Sequence, residues 1–308
     1  MRNPMENSSN IKVFTLSELN ETPTNRLIYF SLTFLVYILI LFVNLTLIFT
    51  ILLEKSLHEP MYLFLCNLCI NGLYGTAGFY PKFLSDLLFD SYVISYHACY
   101  IQIFVIYSSA KCDFSTLTAM AYDRYVAICK PLLYHSVMTD QMVFKLIAFS
   151  WIFPYFTMSL TIALSSRLPL CGSHIDKLYC ENWSIVKLSC EATIVNNVSG
   201  FIIICIFVGF AFFIILSYIK LIMVCTKSRE DRAKFMQTCL PHLFALINFT
   251  VTLVFDAMYS RYGSRNIPQG LRNFLALQFL IIPPIFNPII YGLKLTEVRK
   301  RLLTIPKR

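Results

Sequence analysis

Residues Met120-Ala121-Tyr122-Asp123-Arg124-Tyr125-Val126-Ala127-Ile128-Cys129 set an acid beside an arginine at the end of a long apolar segment. Charges are costly in hydrocarbon, so such residues sit at a membrane mouth or inside a bundle and usually serve function. An Asp–Arg couple suits a charge latch better than bond-making. Lys111 and Asp113 lie earlier in the same segment. Lys111 meets an anionic ligand group, meets an internal acid, or snorkels along water inside the bundle; Asp113, two residues on, is turned away from it by a helix. Arg261, near the end of another apolar stretch, either captures a carboxylate or sulfate or is simply solvated. No Gly-rich phosphate loop, His–Glu metal helix or nucleophile elbow occurs, so neither an enzyme nor a cofactor is expected. Cys66 and Cys69 share one apolar stretch without histidines, which is not zinc spacing.

Long apolar elements must position these groups. The chain has 308 residues, 57% hydrophobic and only 14% charged. A soluble domain of this size carries about 25% charged residues, so much of this surface faces lipid. Seven apolar stretches fall at 27–52, 60–83, 97–126, 142–163, 198–224, 236–259 and 270–292. Each is long enough for the roughly 20 helical residues that cross a bilayer. Lipid leaves backbone groups no partner, and runs without alternation favour helices over barrel strands. The expectation is an all-α membrane protein, a seven-helix bundle. Residues 1–26 form a polar extracellular tail whose sequons Asn7-Ser8-Ser9 and Asn20-Glu21-Thr22 are the candidate glycan sites. Residues 293–308 form a cytoplasmic tail, with Arg299-Lys300-Arg301 suited to a short amphipathic helix on anionic lipid. No early apolar core with a cleavage site is evident, so the first span is expected to act as the targeting signal.

The net charge of +9 flanks the membrane segments and forms no single patch, which argues against a nucleic-acid partner. Basic residues are commoner on the side assigned to the cytosol, favouring an outside amino terminus. Cys99 opens the third span, and Cys171, Cys180 and Cys190 lie in the loop after the fourth. That side is oxidising during folding, and four cysteines allow three pairings.

Further motifs follow in order: Pro60-Met61-Tyr62-Leu63-Phe64-Leu65, Lys130-Pro131-Leu132-Leu133-Tyr134, Ser217-Tyr218-Ile219, the stretch from Lys234 to Leu243, and Asn287-Pro288-Ile289-Ile290-Tyr291. Together with the Asp-Arg-Tyr stretch they resemble the odorant-receptor branch of the rhodopsin-like G-protein-coupled receptors, along nearly the whole chain. The stretch Asn67 to Gly75 is similar to a variant of fish odorant receptors, which points to an aquatic source. The resemblance implies disulfides Cys99–Cys180 and Cys171–Cys190. It implies that Asp123 pairs with Arg124 at rest, and that an outward swing of helix 6 frees Arg124 for a G-protein α subunit. Tyr125 belongs to the same signature. Tyr218 and Tyr291, the latter in the motif begun by Asn287 and Pro288, reach toward Arg124 in the open form, and Leu132 docks on the G protein.

Helical spacing from Cys99 aligns Ile103, Ile106, Tyr107, Ala110 and Phe114, a stripe that also suits plain packing. The resemblance makes Ile106, Tyr107 and Ala110 pocket walls, with Ile204, Cys205 and Val208 facing them. Thr250, Leu253, Val254 and Ala257 on helix 6 and Leu277 and Ile281 on helix 7 close the site, and Trp183 and Ser184 form a lid. Lys111 and Arg261 suggest an anionic odorant. The implied function is odorant sensing at the plasma membrane of olfactory sensory neurons, coupled to a stimulatory olfactory-type G protein and cAMP. The alternatives are a class A receptor for a lipid or peptide and a seven-span channel or transporter. The latter needs several ionisable residues along one path, and only Lys111 and Asp113 are counted mid-membrane. The chain departs from the family at Gly72, where an acid that helps hold sodium is usual, and at Thr250, where a large aromatic is usual. Asp113 is therefore only a weak sodium candidate, and no metal is assigned.

Overall fold

The computed structural model of the chain describes residues 11–19, 22–225, 240–262, 277–278 and 280–289. Asn7, Asn20, Tyr291, residues 234–239, the tail 293–308 and the side chain of Ala257 lie outside the described residues. The larger helices are α1 (Pro23–Leu53), α2 (Pro60–Phe89), α3 (Tyr96–Cys129), α4 (Asp140–Ser165), α5 (Ile194–Cys225), α6 (Leu240–Tyr262) and α7 (Leu280–Ile289). A one-turn helix Tyr134–Val137 joins α3 to α4, and a short helix Asn182–Val186 lies between α4 and α5.

Each boundary has a local cause. Thr22 Oγ1 accepts from the Asn25 amide at 3.3 Å, with Pro23 at the first helical position of α1. Ser95 and Thr139 cap α3 and α4 in the same way. α2 runs past its expected limit at residue 83, because Lys82 pairs with Asp86 one turn on. It stops where Asp90 turns left-handed, at φ 53°.

α1, α4 and Ile194–Met223 of α5 are long and apolar enough to cross a membrane. Phe42, Phe49, Phe144, Phe156 and Phe212 on these helices face outward. α3, of 34 residues, spans about 51 Å at 1.5 Å per residue and packs against α2, α4 and α5. Its inward side is polar: Ser108, Ser109, Asp113, Ser115 and Thr116 are buried. Lipid gives no hydrophobic drive between helices, so close packing and interhelical hydrogen bonds hold them together. Asn71 Nδ2 donates to Asp113 Oδ1 at 2.7 Å and to the Ser109 carbonyl at 2.8 Å. Asn67 joins α2 to α3 through Thr116 and to α4 through Trp151 Nε1 at 2.7 Å. Asn44 Nδ2 ties α1 to α7 at the Pro284 carbonyl, 2.8 Å away.

The all-α expectation needs one correction. A three-stranded sheet lies at the disulfide end, in the order β2 (Val93–Ser95), β1 (Val13–Leu16), β3 (His174–Ile175). β1 runs antiparallel to β2 and parallel to β3. The tail is thus not wholly polar and free, because alternation in β1 buries Phe14 and Leu16 against Ile94, Ile103 and Ile175.

Candidate functional site

A cavity of about 170 Å³ lies between α3, α4, α5, α6 and the loop around the short helix Asn182–Val186. Tyr107, Lys111 and Phe114 form its α3 wall, spaced i, i+4, i+7 on one helical face. Ile204 and Val208 line it from α5, Thr250, Leu253 and Val254 from α6, and Trp183 from the loop. Arg261 stands at its rim, and Met158, Thr161, Ile203, Phe207 and Ala211 complete the apolar walls.

Several expected wall residues lie elsewhere, mostly because one helical residue turns about 100°. Cys205, next to Ile204, is exposed on the outside of α5. Ile106 and Ala110, next to Tyr107 and Lys111, line a second cavity of about 20 Å³ with Gly72, Asp113 and Pro284. Leu277 and Ile281 pack against the core away from the larger cavity. Ser184 turns back and donates to Glu181 Oε2 at 2.8 Å.

The loop above the cavity is tied to α3 by the disulfide Cys99–Cys180 and closed on itself by Cys171–Cys190. A further tie to the bundle carries no sequence motif. Lys177 Nζ donates to Asp256 Oδ1 at 2.8 Å, to Ser260 Oγ at 2.9 Å and to Glu181 Oε2 at 2.9 Å. All three protons of the ammonium are used, and the four residues are buried. Tyr107 donates to the other Asp256 oxygen at 3.3 Å. Burial acts to push the Lys177 ammonium down, but Glu181, Tyr179 and Asp256 outweigh it and hold its pKa above the ordinary lysine value. Asp256 also corrects the count of ionisable residues within the bundle, which had stopped at Lys111 and Asp113. Asp256 and Glu181 both line the cavity.

Arg261 is pinned rather than solvated. Its guanidinium lies 4.2 Å from the Trp183 ring and 5.2 Å from the Phe201 ring, and Nη1 donates to Asn197 Oδ1 at 2.9 Å. A side chain at position 200 would collide with it, so Gly200 makes room for the guanidinium. Lys111 Nζ donates to Thr157 Oγ1 at 3.3 Å and to Met158 Sδ at 3.0 Å, and lies 5.9 Å from the Phe207 ring. Asp113 is held by Asn71. Among the described residues no group of three or more His, Cys, Asp or Glu side chains is placed to share a metal ion.

At the opposite end of α3, Asp123 is buried and accepts from the Tyr134 hydroxyl at 2.8 Å. Asp123 and Arg124 make no direct salt bridge among the described residues, since consecutive helical side chains do not face each other, but the Arg124 charge still acts on Asp123. Burial and the Asp123 charge both push the Tyr134 hydroxyl's pKa up, so it stays a donor. Tyr218 and Asn287 are buried, Tyr125 has its ring 6.0 Å from Lys220 Nζ, and Pro288 is buried nearby in α7. Leu132, at 99% exposure, projects freely between α3 and α4.

The sequence profile described as olfactory receptor matches residues 33–306. The human protein named olfactory receptor 51E1 is 37% identical over 273 residues, covering 87% of this chain and 85% of its own. Human olfactory receptor 56A5 is 36% identical over 279 residues, covering 89% and 88%. Human olfactory receptor 52J3 is 34% identical over 273 residues, covering 88% of each chain.

Proposed function

Because the chain belongs to the olfactory receptor family, we propose that it senses a small anionic odorant in the cavity beneath the disulfide-bonded loop. On this reading it raises cAMP through a stimulatory olfactory-type G protein. The family is one of membrane receptors and not of enzymes. The reading places seven spans in the plasma membrane of olfactory sensory neurons, with the disulfide end outside and the Asp123–Arg124 end in the cytosol.

The observation that carries it is the cavity with its walls. A dry cavity of about 150 Å³ holds a guest the size of benzene, so about 170 Å³ suits a ligand slightly larger. The walls are mainly aliphatic and aromatic, with Lys111 inside and Arg261 at the rim. Thr250, Leu253 and Val254 are α6 residues, so a guest touching them and α3 favours one setting of α6. Thr250 takes the place of a bulkier aromatic, and its hydroxyl donates within α6 to the Leu246 carbonyl at 2.8 Å. An outward movement at the other end of α6 would expose Arg124 and the free knob Leu132 to the G protein.

A ligand shifts such an equilibrium only by its differential affinity for the two states. Turning 1:99 into 99:1 takes about 5.5 kcal/mol, which a guest of this size rarely supplies. Partial activation at micromolar concentration is expected. The test is a cAMP screen of acidic, amine and steroidal odorants in cells displaying the full chain. Acids should rank first, and Arg124→Ala should abolish the response at unchanged surface expression. A response undiminished in Arg124→Ala would remove the coupling scheme.

A further inference from the structure

We infer that the amino-terminal strand β1 is a working part of the ligand site, although none of its residues lines the cavity: it positions Lys177, and through Lys177 the outer end of α6. This rests on the reading of the cavity as the odorant site and adds the element that holds its roof in place.

The strand joins two loops that have no ladder between them. It is the middle strand of its sheet, with β2 on one side and β3 on the other. The Thr15 amide donates to the Ser173 carbonyl at 2.9 Å, that of Leu16 to the Tyr92 carbonyl at 2.8 Å, and that of Ser17 to the Lys177 carbonyl at 3.0 Å. Main-chain bonds of this kind hold an added strand, while alternate side chains fill pockets. Phe14 and Leu16 do so here. They are buried in one apolar cluster with Cys99 and Cys180, with Met158 of the cavity wall, and with Ile185 of the short helix that carries Trp183.

The link to α6 runs through one residue. The Lys177 amide donates to the Ile175 carbonyl at 2.8 Å, and its carbonyl accepts from Ser17, so the main chain on both sides of its Cα is fixed. That fixed main chain aims the ammonium at Asp256 and Ser260 on α6 and at Glu181. Asp256 in turn accepts from Tyr107 on the α3 wall. The series β1, Lys177, Asp256, Tyr107 is thus an unbroken run of bonded residues from the tail to two walls of the cavity, and coupling between sites is carried by such contiguous networks. Asp256 shares no hydrogen bond with β1 itself among the described residues, so the two meet at Lys177.

The experiment is a double-mutant cycle on the full chain. Ser17→Pro removes the amide that holds the Lys177 carbonyl, and the residue before a proline keeps extended backbone, so the rest of β1 can stay paired. Asp256→Asn weakens the α6 end of the series. In detergent, Ser17→Pro should lower the midpoint of thermal unfolding by roughly 2–12 °C. In the Asp256→Asn background that drop should shrink to less than about half, whereas independent sites give drops that add. In cells at matched surface display, Ser17→Pro should raise the cAMP midpoint concentration by about fivefold or more, for each odorant of the acidic, amine and steroidal panel that activates the parent chain. Leu16→Ala takes its place if Ser17→Pro is not displayed. Thermal drops that add would overturn the inference. An unmoved cAMP midpoint would overturn it too, leaving β1 a strand that only stabilises the fold. A parent chain that none of these odorants activates would overturn the odorant reading instead, and the thermal cycle then judges the strand by itself.

Discussion

Lys177→Met tests the buried tie between the loop and α6. The side chain keeps its length but loses an ammonium whose three protons go to Asp256, Ser260 and Glu181 at 2.8–2.9 Å. Two carboxylates, each 4% exposed, then lose their shared cation. Glu181 keeps the Ser184 hydroxyl and Asp256 keeps Tyr107. Removing one partner of a buried ion pair costs about 3–5 kcal/mol. At about 2–4 °C per kcal/mol the midpoint of thermal unfolding falls by roughly 6–20 °C. The assay is thermal denaturation of the full chain in detergent, with surface display in cells as a second reading. Asp256→Asn in the same background should recover part of the loss, because it removes one of the orphaned charges. The coupling between the two substitutions should reach about 1–3 kcal/mol. A Lys177→Met protein as stable as the parent, or costs that simply add, would refute the reasoning. The sign with pH is also fixed: a raised lysine pKa gives stability that is present below its unfolded value, about 10.4, and lost as pH rises through the folded value. The contribution of Lys177 should therefore be flat between neutral pH and about pH 9.

Tyr134→Phe leaves the buried Asp123 without its hydroxyl donor, at about 1–3 kcal/mol, and should raise cAMP in the absence of ligand; unchanged basal signalling would mean that this bond does not hold the resting state. Ile204→Trp should fill the cavity and abolish the response, whereas Cys205→Trp on the exposed face should leave it near the parent level, both read by cAMP at matched display. Cys180→Ser opens a link spanning 81 residues, worth about 4–5 kcal/mol by chain entropy, and should sharply reduce the displayed fraction measured by flow cytometry.

The long helices were legible because lipid forces an unbroken apolar run, as in α1 and α5, and an exposed outward face needs no partner to make sense. Their ends were less so. The apolar stretch expected to end at residue 83 continues as helix to Phe89, with Lys82 paired to Asp86 one turn on. β1 was hidden because four alternating residues mean little until their partners arrive from positions 93–95 and 174–175. On α3 the stripe from Cys99 mixed two faces: Tyr107 and Phe114 look into the larger cavity, Ile106 and Ala110 into the smaller one. Asp123 and Arg124 adjoin in sequence without a direct salt bridge, and the acid accepts from Tyr134 instead. Lys177 read as one loop cation among several, because its partner Asp256 lies 79 residues away on α6. A lone acid in an apolar stretch was the one available signal of that tie.

The most direct measurement is guanine-nucleotide exchange on a purified stimulatory olfactory-type G protein by the full chain reconstituted in lipid, with and without an activating carboxylate. The account predicts that the carboxylate accelerates exchange, that Ile204→Trp makes exchange insensitive to it, and that Arg124→Ala abolishes the acceleration. Exchange that the chain never alters, or acceleration that survives both substitutions, would contradict it.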